Sequence, residues 1–108
     1  MKNATLELSD MQAAAAEVCR LMKVLSNPDR LLILCQLSQG EHCVGELEAL
    51  LGIVQPTLSQ QLTVLRDEAL VSTRREGKNI FYLLDSPQAL AVMQVLYAQF
   101  CGTTRKRS

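Results

Sequence analysis

The chain has no excess of either charge: eleven lysines and arginines balance eleven aspartates and glutamates over 108 residues. Total charge therefore lends no support to nucleic-acid binding, which normally leaves a basic footprint, and a motif must carry that case alone. No apolar stretch reaches the length of a membrane span. Glu7 and Asp10 stand where a secretory signal would have its apolar core, so a cytoplasmic protein with no membrane partner is expected. There is no Cys-x-x-Cys motif, no paired acid and base and no glycine-rich phosphate loop, which makes an enzyme or thiol oxidoreductase the weakest reading and leaves no cofactor expected. The single histidine supplies at most a fragment of a metal site. The length suits one domain over 1–108, too small for a catalytic domain beside a regulatory one. Four cysteines without a signal peptide point to buried thiols, metal ligands or redox sensors rather than a disulfide framework.

What is present is helical periodicity. Ser9 to Lys23 carries Met11, Ala14, Ala15, Val18, Leu21 and Met22 at helical spacing, with Ser9 or Asp10 as N-cap. Asn27-Pro28 opens a second helix through Leu31, Leu32, Ile33, Leu34 and Leu37 to about Ser38, apolar almost all round and therefore expected to be central. Val44, Leu47 and Leu51 mark a short third helix stopped by Gly52, and Leu58, Leu62 and Leu65 mark a fourth from about Gln55 to Glu68. Leu70 to Arg75 and Ile80 to Leu84 read as two strands around the polar turn 76–79. Ser86-Pro87 then starts a last helix with no charged residue from Pro87 to Gly102. A helix so poor in charge has no face suited to water, so it should pack on a second subunit beside the alanine-rich first helix, giving a homodimer. Thr103 to Ser108 reads as a short basic tail.

The strongest functional signal runs from Val44 to Val71: a short helix, a glycine turn, a second helix and a strand with no spare residues, which is a helix-turn-helix with a wing. The fold class expected is mostly α with a β-hairpin wing, and the partner is double-stranded DNA. With Leu58, Leu62 and Leu65 facing the core, Gln60 and Thr63 face outward, and Gln55, Thr57 and Ser59 lie in the first turns, where a recognition helix meets the major groove. Their amides and hydroxyls suit base edges. Arg66, Arg74, Arg75 and Lys78 suit phosphates.

The phrases Leu25-Ser26-Asn27-Pro28-Asp29-Arg30-Leu31, Gly45-Glu46-Leu47, Gln55-Pro56-Thr57-Leu58-Ser59-Gln60-Gln61-Leu62 and Leu65-Arg66-Asp67-Glu68-Ala69-Leu70-Val71 resemble the ArsR/SmtB family of repressors, over nearly the whole chain. The resemblance implies a dimer built from the first and last helices, bound to an inverted-repeat operator and released by an inducer. Two positions depart from the family pattern. Val54 stands where a serine or similar N-cap is usual, and Ala69 where a glycine usually closes the recognition helix; each change costs about 1 kcal/mol.

The inducer must be read from the cysteines. The family's metalloid sensors carry Cys-Val-Cys at the third helix, where this chain has Cys43-Val44-Gly45, and the last helix lacks the carboxylates and histidines of the family's zinc site. No metal is therefore expected, although a metal or metalloid sensor using cysteine ligands stays open as an alternative. Cys43 and Cys101 resemble the pair of the persulfide-responsive subgroup that includes BigR, SqrR and HlyU, which implies release by reactive sulfur species through a Cys43-Cys101 disulfide or polysulfide bridge. Cys43 at a helix start should have its thiolate favoured by unpaired N–H groups and act as first attacker, with Cys101 resolving. Cys19 and Cys35, beside apolar neighbours, read as core, as do Met11, Met22 and Met93, and His42 as an exposed residue outside the site.

Overall fold

The computed structural model describes residues 7–102, so the tail expected at 103–108 lies outside the described residues. The elements run α1 (Leu8–Leu25), α2 (Pro28–Leu37), β1 (His42–Cys43), α3 (Val44–Leu51), α4 (Thr57–Asp67), β2 (Val71–Glu76), β3 (Asn79–Leu84) and α5 (Pro87–Tyr97). A π-helical turn, Ala98–Gly102, continues α5.

The cap residues account for most of the helix starts. Asn27 Oδ1 accepts from Arg30 N–H at 3.1 Å, with Pro28 at the first helical position of α2. Ser86 Oγ accepts from Ala89 N–H at 3.1 Å, with Pro87 in the same place on α5. Helix α1 starts earlier than expected: Glu7 is the N-cap and makes no side-chain cap bond, while Ser9 and Asp10 lie inside the first turn. There the Asp10 carboxylate favours the positive end of the helix dipole instead of capping it.

The core is built where α2, α3, α4 and α5 meet: Ile33, Leu34, Leu47, Leu58, Leu62, Leu65 and Met93 are fully buried. The expected stripe of α4 is thus the inward one. Helix α2 is central on one side only, since Leu32 stays exposed. Helix α1 buries Val24 and Leu25 in the core and packs Leu21 against it, leaving Met11 and Met22 52% and 59% exposed. Met11 and Met22, and with them Cys19, are therefore surface residues in this chain, contrary to the expectation of core filling. Periodicity identifies an apolar face but not the chain that covers it.

The hairpin forms as expected, with Glu76 opposite Asn79 and Val71 opposite Leu84, and Gly77 supplies a φ of +63° at the turn. A third strand joins it: β1 pairs antiparallel with β3, His42 opposite Tyr82 and Cys43 opposite Phe81, giving the order β1-β3-β2. Two extended residues have no periodicity to betray them.

Helix α4 ends in a Schellman motif. Leu70 N–H reaches Leu65 O at 3.0 Å, Ala69 N–H reaches Arg66 O at 2.9 Å, and Ala69 holds a left-handed φ of +62°. Ala69→Gly should raise unfolding stability by about 0.5–1 kcal/mol, the relieved strain of about 1–2 kcal/mol exceeding the unfolded-chain entropy that a glycine adds. Urea denaturation measures this, and an unchanged or lower midpoint contradicts the strain argument.

Candidate functional site: nucleic-acid interface and thiol pair

Helix α3, the Gly52 turn with φ +72°, and α4 form the helix-turn-helix, and the β2–β3 hairpin follows as the wing. The polar face of α4 is exposed at Ser59, Gln60 and Thr63, while Thr57 is half-buried. Gln55 lies just before the helix, and its Oε1 accepts from Ser59 N–H at 3.0 Å. That oxygen supplies the cap that Val54 lacks. It also occupies the acceptor that Gln55 would need to grip adenine with both amide atoms. Thr63 Oγ1 donates to Ser59 O at 3.0 Å, which leaves its oxygen as an acceptor only. Gln60 is exposed, and its side chain makes no hydrogen bond among the described residues.

Among the basic residues, Arg66, Arg75 and Lys78 are exposed on the last turn of α4 and along the hairpin tip. Arg75 leans on Gly77 O at 3.4 Å. Arg74 differs. Its guanidinium holds Glu41 through two bonds of 2.6 and 2.7 Å and Glu76 at 2.7 Å, and it lies 4.8 Å from the Phe81 ring centroid. The bond from Arg74 holds the Glu41 carboxyl below the usual carboxylate range, and the two carboxylates raise the Arg74 pKa further. Two carboxylates already offset this charge, so Arg74 ties the loop before β1 to the wing, and a phosphate would have to displace them.

Cys43 is the N-cap of α3. Its backbone N–H donates to Glu46 Oε1 at 3.1 Å, closing a capping box with a sulfur in place of the usual hydroxyl. His42 is not exposed as expected: its side chain is only 20% exposed. Its Nε2 lies 3.3 Å from Gln36 Nε2 and its Nδ1 3.2 Å from Glu46 Oε1, so the ring bridges α2 and α3. Among the described residues no group of three or more histidine, cysteine or carboxylate side chains is placed to hold a metal ion.

Cys43 and Cys101, expected as the sensing pair, lie at the start of α3 and in the turn after α5. Cys101 is exposed in the π-helical turn after α5. Cys35 on α2 lies near it: burial pushes the Cys35 thiol up, and the nearby Cys101 adds to the rise. Cys35 is half-buried against the core rather than sealed in it. Helix α2 is apolar on nearly every side, so the pattern alone does not show which of its residues face α5. No sequence signal separates Cys35 from its leucine neighbours.

A helix-turn-helix with an exposed polar recognition helix and a basic hairpin wing defines a DNA-binding transcriptional regulator. The family profile described as "Bacterial regulatory protein, arsR family" matches residues 27–73. The biofilm growth-associated repressor of Agrobacterium fabrum is 53% identical over 90% of this chain and 83% of its own length. The crystal structure of the transcriptional repressor BigR from Xylella fastidiosa superposes with a TM-score of 0.84 at 50% identity, covering 89% of this chain and 98% of that one. Reduced HlyU from Vibrio cholerae gives 0.81 at 39% identity, covering 87% and 99%. The chain belongs to the arsR family, in the subgroup of BigR and HlyU. Among the described residues no helix is long and apolar enough to cross a membrane.

Proposed function

We propose that the chain is a homodimeric repressor that binds an inverted-repeat operator and is released when reactive sulfur species oxidise Cys101 together with Cys35. What supports the thiol part is the nearness of an exposed cysteine, Cys101 after α5, to a half-buried one, Cys35 on α2, the two helices being packed together. The exposed thiol meets the inducer first. Its thiolate attacks the sulfane sulfur of a low-molecular-weight persulfide, releasing the thiolate of that molecule and leaving a Cys101 persulfide. The Cys35 thiolate then attacks Cys101 Sγ, expels hydrosulfide and closes a disulfide between α2 and the end of α5. The dimer is supported by the uncovered apolar residues Met11, Val18 and Met22 on α1 and Val95 on α5, more apolar surface than a single small chain normally leaves in water.

Mass spectrometry after exposure to glutathione persulfide, hydrogen peroxide or zinc tests the reading. A bridged Cys35–Cys101 peptide formed with persulfide supports it. A Cys43–Cys101 product would return the role to Cys43, and retained zinc with unmodified thiols would replace sulfur chemistry by metal sensing.

On the DNA side, Gln60 is the strongest base reader because both its amide groups stay available. Gln60→Ala should weaken operator binding by about 1–3 kcal/mol and relax the preference at one base pair, whereas Lys78→Ala should lower the salt slope by about 1 with sequence preference kept. Fluorescence anisotropy across a salt series separates the two. Equal effects on discrimination would contradict this division of labour.

A further inference from the structure

One guanidinium joins three helices. Arg30 lies in the first turn of α2, and its Nε donates to Val24 O at 2.9 Å while Nη2 donates to Lys23 O at 3.4 Å. Both carbonyls belong to the last turn of α1, where helix geometry leaves carbonyls open; Lys23 O also accepts from Ser26 Oγ at 2.7 Å, so Val24 O is the one that depends on Arg30. Nη1 donates to Gln61 Oε1 at 3.0 Å, on α4. Arg30 and Gln61 are half-buried, and bonds from a charged donor in such a place are stronger and more directional than surface contacts.

Apolar packing does little to fix α1 against α4. A cleft of about 550 Å³, lined by Ala14, Val18, Leu21, Ala69 and Leu70, separates α1 from the corner after α4. The Arg20–Glu68 pair crosses beside it at 2.7 Å, but Arg20 is 70% exposed, and an ion pair so open to solvent holds little. The polar link through Arg30 is thus the ordered connection between the helix with the uncovered apolar face and the recognition helix.

We infer that Arg30 is a positioning residue: through Gln61 it sets the angle of α4 relative to α1. In the dimer proposed above, on which this inference rests, it thereby sets the distance between the two recognition helices. Helix-turn-helix dimers read half-sites about 34–36 Å apart, and inserting one base pair turns one half-site by about 34° around the duplex. A rigid link makes binding sharply dependent on that spacing. A loosened link lets each recognition helix follow its half-site.

The experiment uses the full chain and a site selected by it from random-sequence DNA, with the central spacer shortened or lengthened by one base pair. Wild type should lose about tenfold or more in affinity at each altered spacer. Arg30→Lys keeps the charge but not the planar fork, and its loss should shrink to about threefold or less. Gln61→Leu, which removes the acceptor from the α4 side, should do the same and serves if Arg30→Lys does not fold. Gln61→Glu keeps an acceptor for the fork and should retain the wild-type ratio, even where the added charge lowers binding to every site. Uniform weakening by Arg30→Lys and Gln61→Leu, with the spacing ratio unchanged, overturns the inference and makes Arg30 a structural residue. A wild-type protein indifferent to spacing overturns the dimeric reading and this inference with it.

Discussion

Replacing Cys101 with serine should leave the reduced protein bound to its operator with wild-type affinity and abolish the response to persulfide. In the wild type, closing a bridge between α5 and α2 should lower operator affinity by about 5- to 150-fold, the range in which coupling between two sites usually lies. Cys101 is exposed in the turn after α5 and belongs neither to the buried core nor to the helix-turn-helix, so its removal should leave both intact. Cys35→Ser should instead trap Cys101 as a persulfide, without the bridge and without the full loss of affinity. Cys43→Ser should behave as wild type, because serine suits the N-cap position of α3 and the pairing with Phe81 is made through the backbone. Operator titrations before and after treatment read all three variants. A normal response in Cys101→Ser would remove Cys101 from sensing altogether, and a lost one in Cys43→Ser would return a sensing role to Cys43.

The second large effect concerns stability. Leu62 is 1% exposed on the inward face of α4, where the recognition helix meets the core. Leu62→Ala removes three buried carbons and leaves a cavity that helices held by neighbouring leucines fill only in part. The expected cost is about 2–5 kcal/mol, a large share of the ~5–15 kcal/mol that holds a domain of this size folded. Leu32→Ala, on the exposed side of α2, should cost well under half as much in the isolated chain. Thermal or urea unfolding compares them. Similar costs for the two would mean that Leu32 is covered in solution, by a second copy or otherwise.

Much of the interface is legible in the amino-acid sequence. The leucines of α4 announce an inward face, so the outward exposure of Gln60 and Thr63 follows from the helical period, and Ala69 stands out as an unusual helix terminator. Less legible are the tasks of particular polar groups. Gln55 caps α4 with the oxygen expected to read a base, and Arg74 holds two carboxylates instead of standing ready for a phosphate. In each case the competing partner comes from geometry that composition does not encode: a helix start two residues later than expected, and a Glu41 before β1 that Arg74 of β2 reaches across β3.

Local chemistry in the sequence is enough to determine the helices, their order, the hairpin and the helix-turn-helix, because capping residues, glycine turns and apolar period act over a few neighbouring positions. Tertiary structure alone decides that Cys35 lies near Cys101, that β1 completes the sheet, that α1 leaves its apolar face uncovered, and that Arg30 connects α1 to the recognition helix. These depend on how elements distant in the chain cross one another. An apolar helix such as α2 carries no mark of which side each neighbour will take, and only the packed arrangement of α1, α4 and α5 around it assigns Cys35 and Arg30 their partners.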